Sequence, residues 1–238
     1  MEIFLGKMPV CAHPRYAPPW GVVMNEVPGV ILVGAGGHAT SVIDALLSGG
    51  RRPAFLLDDD PAKRGRILGE ALIRGSLADL SGEELRHYPI LVSIAKNPIR
   101  QRIVLELTSR GATLCGVRHP SAILSQHATI HPTVQIMAGV IVNAGAVVNA
   151  HAVLNTGCIV EHDVQVAEFA HIGPGAVLSG AAVVEEGAFV GSGATLCPFV
   201  RLGRASTLGA GAVAVRDVAP QSVAVGIPAR PIRNETRR

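Results

Sequence analysis

The sequence predicts two units in series, an α/β unit followed by a parallel β-solenoid, and three observations carry that reading. From Leu124 to Val213 the chain repeats with a period of six, unbroken in register. The first position of each hexad is aliphatic, running Leu124, Ile130, Ile136, Val142, Val148 and onward to Leu208, and the residue four further on is small, as in Ala128, Ala146, Cys158, Ala170, Ser206 and Ala212. A helix of 3.6 residues per turn would smear such positions around its cylinder, whereas a strand of period two followed by a turn accommodates both. Coils that each bury one large and one small residue per side make a parallel solenoid. The second observation is upstream, where apolar strands alternate with helical patterns, the mark of a parallel sheet with helices on its faces. The third is the composition: 48% hydrophobic but only 3% aromatic, with 27 glycines. A narrow interior admits Val, Ile, Leu and Ala and little that is wide and planar.

Taken in order, residues 1–28 form an extension that is expected to be poorly ordered, with Met1 and Met24 both open as the start. Residues 29–118 make the α/β domain. Gly29–Val33 reads as a strand and Gly34-Ala35-Gly36-Gly37-His38-Ala39 as a glycine loop. A helix through Val42, Ile43, Ala45, Leu46 and Leu47 ends at Gly49-Gly50. Ala54–Leu57 is a second strand, Ile90–Ile94 a third, Pro98–Arg110 a helix and Thr113–Val117 a fourth strand. His119-Pro120-Ser121 breaks the pattern, residues 119–216 hold the hexads, and residues 217–238 are a C-terminal segment with a basic tail through Arg230, Arg233, Arg237 and Arg238.

The formal net charge of +3 is spread along the chain and gives no case for nucleic acid. No apolar run approaches the ~20 residues that span a bilayer, and the N-terminus lacks the layout of a signal peptide, so a cytoplasmic protein is expected. Cys11, Cys115, Cys158 and Cys197 are far apart, with no Cys-x-x-Cys, so neither a zinc knuckle nor a disulfide framework is indicated. Cys158 fills a small inward position and is expected to be buried and inert.

Gly34-x-Gly36-x-x-Ala39, after a strand and opening a helix, turns backbone N–H groups and a helix N-terminus toward an anion. Asp58, at the end of the second strand, is placed to accept from a ribose or a base. A unit of about 90 residues is half the usual dinucleotide arrangement, so one mononucleotide fits better than NAD; a purely structural glycine turn is the other reading. His38 either contacts phosphate or caps the helix.

On the solenoid, three hexads make one triangular coil, so residues eighteen apart stack. Ala144, His162 and Gly180 share a column. His162 is flanked by Glu161 and Asp163, a pairing that raises imidazole basicity and fixes its tautomer, as a general base requires. Gly180 offers an N–H to a developing oxyanion. His171 lies half a coil away. Histidines at turns, such as His127, His131 and His151, also serve simply as solvated polar residues. The rival reading is a zinc site from His151, His162 and His171, but their hexad positions differ, and no metal is expected.

With these pieces assembled, the chain resembles the hexapeptide-repeat acyltransferases of the sialic acid O-acetyltransferase and nucleotide-aminosugar N-acetyltransferase family. The segments that carry the resemblance are Gly34–Ala39, Leu57-Asp58-Asp59, Asn97-x-x-Arg100, His119-Pro120-Ser121-Ala122, Asn155-Thr156-Gly157, Glu161-His162-Asp163 and Val225-Gly226-Ile227-Pro228-Ala229-Arg230. The resemblance implies a Rossmann-like nucleotide-binding domain followed by a left-handed parallel β-helix. It implies a homotrimer with active sites between subunits, and acetyl-CoA as co-substrate. The implied reaction is N-acetylation of a nucleotide-linked amino sugar, of the 4-amino-4,6-dideoxy type, for surface glycan biosynthesis. Sugar O-acetylation and a zinc lyase of the carbonic-anhydrase type are the alternatives. Carried over by position, His162 is the base, Asp163 its partner carboxylate and Asn155 an acceptor-orienting group. His171 and the Gly180 N–H would meet the thioester carbonyl, and Ser192 and Ala210 the pantetheine arm. Gly36, Gly37, His38, Asp58, Asp59, Ala95 and Asn97 match the nucleotide-sugar site, with Ala95-Lys96 standing where the family pattern commonly has glycine.

Overall fold

A computed structural model describes residues 29–232. The proposed extension before residue 29 and the tail cations Arg233, Arg237 and Arg238 lie outside these residues.

The first unit is a five-stranded sheet of order β3-β4-β2-β1-β5. Strand β1 (Val30–Val33) is wholly buried and pairs in parallel with β2 (Pro53–Leu57) and β5 (Ile90–Val92). Helix α1 (Gly37–Ser48) buries Ala39, Val42, Ile43, Ala45 and Leu46 on one face, and α3 (Asn97–Ser109) covers the other with Ile103, Val104 and Leu107. Strands β3 (Ile67–Leu68) and β4 (Ala71–Gly75) and the short helix α2 (Gly82–His87) occupy a stretch that hydrophobic patterning left unassigned. Strand β4 adds in parallel to β2, and β3 folds back antiparallel at the edge.

The expected fourth strand, Thr113–Val117, is a correction. Only Leu114 bridges to Ile90. By Gly116 the chain has joined the second unit, where the Gly116 N–H donates to the Pro132 carbonyl at 3.0 Å and a Cβ on Gly116 would strike the Val134 oxygen. Solenoid pairing therefore begins at Val117.

That second unit is the left-handed β-helix, built from two-residue strands in three parallel faces. Face 1 contains Ile123–Leu124, Ile141–Val142, Ile159–Val160, Val177–Leu178, Thr195–Leu196 and Val213–Ala214. Face 2 contains Thr129–Ile130, Val147–Val148, Gln165–Val166, Val183–Val184 and Arg201–Leu202. Face 3 runs from Val117–Arg118 through Gln135–Ile136, Val153–Leu154, His171–Ile172, Phe189–Val190 and Thr207–Leu208 to Val223–Val225, with Arg230–Pro231 closing it antiparallel. Register partners are eighteen apart up to Val213–Ala214, as in Ile141, Ile159 and Val177, and the final coil is shorter, with Thr207 paired to Val223 sixteen residues on. The large inward residues from Leu154 to Leu208 are all completely buried, each worth roughly 2 kcal/mol of apolar burial. Ser206, in a small inward slot, satisfies its hydroxyl on the Gly203 carbonyl.

The α/β unit docks on face 3 and on the corner between faces 2 and 3, and Arg100 is the centre of the joint. Its side chain is fully buried. Nε donates to the His151 carbonyl at 3.1 Å, Nη1 to those of Ile94 and Ala95 at 2.9 and 3.0 Å, and Nη2 to Asn97 Oδ1 and the Phe169 carbonyl at 2.9 and 2.8 Å. All five guanidinium donors are thus used on neutral oxygens from both units. Asn97 completes the joint by donating to the carbonyls of Gly187 and Ala188. Replacing Arg100 by Met would leave these oxygens dry and unpaired, so Arg100→Met is expected to cost about 3 kcal/mol or more in urea denaturation.

Candidate active site

His162 and Asp163 are the turn residues of the corner between faces 1 and 2. Asp163 takes a left-handed conformation, φ 61°, which Asp tolerates better than most side chains. That backbone folds its carboxylate back onto the preceding ring, and Oδ2 lies 2.9 Å from His162 Nδ1. Carboxylate acceptance at Nδ1 places the proton there and leaves the Nε2 lone pair outward, the tautomer a base needs. Both side chains are about two-thirds exposed. One coil on, a Cβ on Gly180 would lie 2.6 Å from both Cε1 and Nε2 of His162, so the ring rests against the bare Gly180 backbone. The column is tied by Asp163 N–H to the Ala144 carbonyl and Ala181 N–H to that of His162. The Gly180 N–H donates to nothing among the described residues. One coil back, a Cβ on Gly145 would collide with Asp163 Oδ1, so this glycine clears the space for the carboxylate. Counting eighteen back from Asp163 would have found Gly145 in the sequence.

Ser192 and Ala210 are exposed and stacked on the third corner, between faces 3 and 1, where the Gly211 N–H donates to the Ser192 carbonyl at 2.9 Å. They border face 1 on one edge while His162 borders it on the other.

His171 and Asn155 lie elsewhere. His171 is 4% exposed on face 3, beneath the α/β unit. Its Nδ1 donates to the Ala95 carbonyl at 3.1 Å, and Nε2 accepts from the Asn155 amide at 3.2 Å. Burial, with Arg100 and His38 nearby, pulls its pKa down to about 4, so it is neutral at pH 7. His151 is likewise lowered to about 4 by burial and by the charges of His131 and Arg100, and its ring stacks on Phe169 at 5.1 Å. His151, His162 and His171 therefore face three different environments and do not converge as a ligand set.

In the α/β unit, α1 starts at Gly37 with Gly36 as its N-cap, no capping side chain and no acidic residue in the first turn. Gly36 and Gly37 are exposed with open space where side chains would be. Gly34 holds φ 104°, and a Cβ there would meet Ile94 Cγ1 at 2.6 Å. Asp58 fastens the loop, Oδ2 accepting from the Ala35 N–H at 2.7 Å and from Lys63 Nζ at 2.9 Å. Burial opposes its charge, but hydrogen bonds from Lys63 and the Asp60 and Ala35 N–H groups hold the carboxyl below its usual range. Asp59 is exposed beside it and accepts from the Leu77 N–H. A cleft of about 140 Å³ opens here at the strand ends, lined by Gly34, Leu57, Asp58, Asp59, Ile99 and Arg102. Arg102, an exposed cation one turn along α3, is a lining residue that motif reading missed.

A family model for the PglD N-terminal domain matches residues 29–107. PerB from Caulobacter crescentus, solved with CoA and GDP-perosamine, is 35% identical, covering 87% of this chain and 99% of its own, with a TM-score of 0.80. The acetyltransferase domain of PglB from Neisseria gonorrhoeae FA1090, solved with acetyl coenzyme A, is 31% identical over 87% of this chain and 100% of its own, with a TM-score of 0.78. This chain belongs to the PglD-type family of nucleotide-aminosugar acetyltransferases. It is an acyltransferase with the family's two-unit fold.

Within this acetyltransferase, the sequence-derived positions fall into two groups. His162, Asp163 and Gly180 come together, Ser192 and Ala210 stack, and Asp58 and Asp59 line one cleft, with Gly36 and Gly37 exposed in the loop that leaves it at Gly34. By contrast His38, Ala95, Asn97 and His171 make ties between the units, and Asn155 backs His171 from within the solenoid. His38 Nε2 donates to Gln135 Oε1 at 3.0 Å, and the Gln135 amide donates onward to the Val92 carbonyl at 2.9 Å. Asn97, 7% exposed, has its amide oxygen and both N–H groups engaged inside the chain. Within the chain, the polar atoms of Asn97 are taken by Gly187, Ala188 and Arg100, and those of His171 by the Ala95 carbonyl and the Asn155 amide. Cys158 is fully buried, its thiol pushed up to about 12 by that burial. Among the described residues no helix is long and apolar enough to cross a membrane.

The depressed histidines set an acid limit on stability. His151 and His171 stay neutral in the folded chain down to pH of about 4 but take up protons near 6.5 when unfolded. Between these values the unfolded state binds more protons, so stability falls as pH falls, by up to ~1.4 kcal/mol per pH unit for each histidine. Urea midpoints measured from pH 7 to pH 4 should show this fall, and His171→Asn should make it shallower.

Proposed function

We propose that this enzyme transfers acetyl from acetyl-CoA to the amine of a nucleotide-linked 4-amino-4,6-dideoxy sugar, for surface glycan biosynthesis. The observation that carries the reading is the His162–Asp163 pair resting where a side chain on Gly180 would be, beside a Gly180 N–H that no described residue engages. PerB was solved with CoA and GDP-perosamine, a ligand pair of this class. The uncapped N-terminus of α1 suits the nucleotide phosphates, and the cleft between Asp58, Asp59 and Arg102 suits the nucleoside.

Transfer is direct. The neutral amine attacks the thioester carbon, and the oxyanion that forms accepts from the Gly180 N–H. The C–S bond breaks as the intermediate collapses. The amine proton passes to His162 Nε2 and from there to the departing thiolate, giving the amide and CoA thiol. Asp163 holds the ring and balances the imidazolium that forms in between. No covalent enzyme intermediate is required.

The working unit is a homotrimer in the cytoplasm. Outward positions of face 1 are Ile123, Ile141, Ile159, Val177, Thr195 and Val213, a strip aliphatic but for one threonine and unlike the mixed face 2 with Gln165 and Arg201. Packing face 1 around a threefold axis sets His162 of one subunit near Ser192 and Ala210 of the next, where the pantetheine arm would lie.

CoA release is to be measured with UDP-, GDP- and dTDP-linked 4-amino sugars, with free and CMP-linked sialic acid alongside. Turnover with one amino-sugar nucleotide is expected, falling by ~10²–10⁴ in His162→Ala with acetyl-CoA affinity nearly unchanged. Release with sialic acid alone would transfer the assignment to O-acetylation. Gly180→Ala should also lose most turnover at unchanged thermal stability, because its methyl group takes the place of the imidazole.

A further inference from the structure

Glu161, which precedes the base, has an unused carboxylate. It is half-buried at the edge of face 1, and no hydrogen bond or ion pair reaches it from any described residue. Asn143 and Ser179, eighteen residues to either side, stack with it on the same edge. Both are half-buried and their side chains are equally without partners.

Glu185 shows how the fold satisfies a carboxylate at this place in the hexad. One of its oxygens takes Arg201 Nη1 at 2.9 Å, sixteen residues on, and the other takes the Arg204 N–H at 2.8 Å, nineteen residues on. The same steps from Glu161 lead to Val177 and to Gly180. Val177 supplies no cation, and the Gly180 N–H stays open. Glu161 is thus a carboxylate on the border of a mainly aliphatic face, adjacent to His162, with no positive charge provided by any described residue. Covering such a group without a counter-charge is costly.

We propose that the missing cation is the substrate: Glu161 binds the protonated amine of the acceptor sugar and delivers its nitrogen to His162. The inference rests on the N-acetyltransfer reading above. An amine of this kind, with a pKa of roughly 8, arrives at pH 7 mostly as the ammonium ion. Asp163 is committed to His162 Nδ1, which leaves Glu161 as the acid beside the base that is free to receive it. The ammonium gives up one proton to water before attack, and the neutral amine then follows the transfer already described. In balance, ammonium plus acetyl-CoA yields amide, CoA thiol and one released proton. The stacked Asn143 and Ser179 are placed to hydrogen-bond the sugar hydroxyls next to the nitrogen.

The test is titration calorimetry on the full-length protein, with GDP-perosamine and the matching sugar nucleotide that carries a hydroxyl in place of the amine; UDP- and dTDP-linked pairs follow if the guanosine pair is not bound. Glu161→Gln, which keeps size and removes charge, should weaken binding of the amino sugar about tenfold at pH 7 and that of the hydroxyl sugar less than twofold. At pH 9.5, with the amine neutral, the tenfold difference should collapse. Acetyl-CoA affinity should be unchanged. Equal weakening for both sugars, or a change in assembly state, would assign Glu161 to subunit packing and overturn the proposal, as would no weakening at all. Wild-type protein that binds hydroxyl and amino sugars alike also overturns it while leaving nucleotide recognition in place. Wild-type protein that binds no sugar nucleotide overturns the parent reading with it.

Discussion

A guanidinium with no carboxylate to pair with sits at the meeting point of the two units. Arg100 is held by carbonyl and amide oxygens from its own loop and helix and from two successive coils of the solenoid. Burial pulls its pKa down only to about 10, so the charge persists at pH 7. Ordinary carbonyl dipoles take the place of a counter-ion, an arrangement that works because every donor of the rigid fork finds an oxygen. The charge then shapes its surroundings. His38, His151 and His171 lie around it, and burial first, with the Arg100 charge adding to it, lowers the pKa of all three. Neutral imidazoles can donate at one nitrogen and accept at the other, and His171 does both. The joint is thereby a hydrogen-bonded lattice rather than an ion-pair network.

That division assigns the histidines their work. One of them, His162, is turned outward on a corner the α/β unit does not cover, with a carboxylate at Nδ1 and a bare backbone beside Nε2. Those inside the joint, His38 and His171, hold hydrogen bonds between the two units. The cleft at the sheet's strand ends and the His162 corner are distinct places on the chain.

Much of this was legible before any coordinates. The eighteen-residue arithmetic placed Gly180 against His162 because the coils on either side of them have the same length, so sequence distance converts directly into height and corner. The glycine loop was legible because a strand, a tight turn and a helix start follow one another within ten residues. What sequence did not reveal depends on docking. Asn97 and Arg100 form a recognisable motif, but its polar character reads as a ligand site until the solenoid is seen to supply the acceptors. Gln135 gave no signal at all, since nothing local marks it as the partner of His38. Strands β3 and β4 escaped because Ile67–Gly75 is short and mixed in polarity, with Ile67 and Leu72 exposed at a sheet edge. Thr113–Val117 looked like a strand from its β-branched residues, yet Gly116 allows the chain to cross to the other unit first.

The α/β unit touches the solenoid at Gln135, His151, Phe169 and His171, and Glu186 through Ala188. These are rungs on four consecutive coils, so the first unit lies along the second as a splint across roughly 14 Å of its axis. A solenoid with interchangeable interiors could otherwise gain or lose a coil with little penalty, since any eighteen residues of the right pattern would fit. Splinted coils lose that freedom: an extra turn between Gln135 and Ala188 would shift every rung above it out of reach of helix α3. Beyond Ala188 no hydrogen bond among the described residues ties the solenoid to the α/β unit, and the far end of the β-helix is the part of this architecture open to change in length.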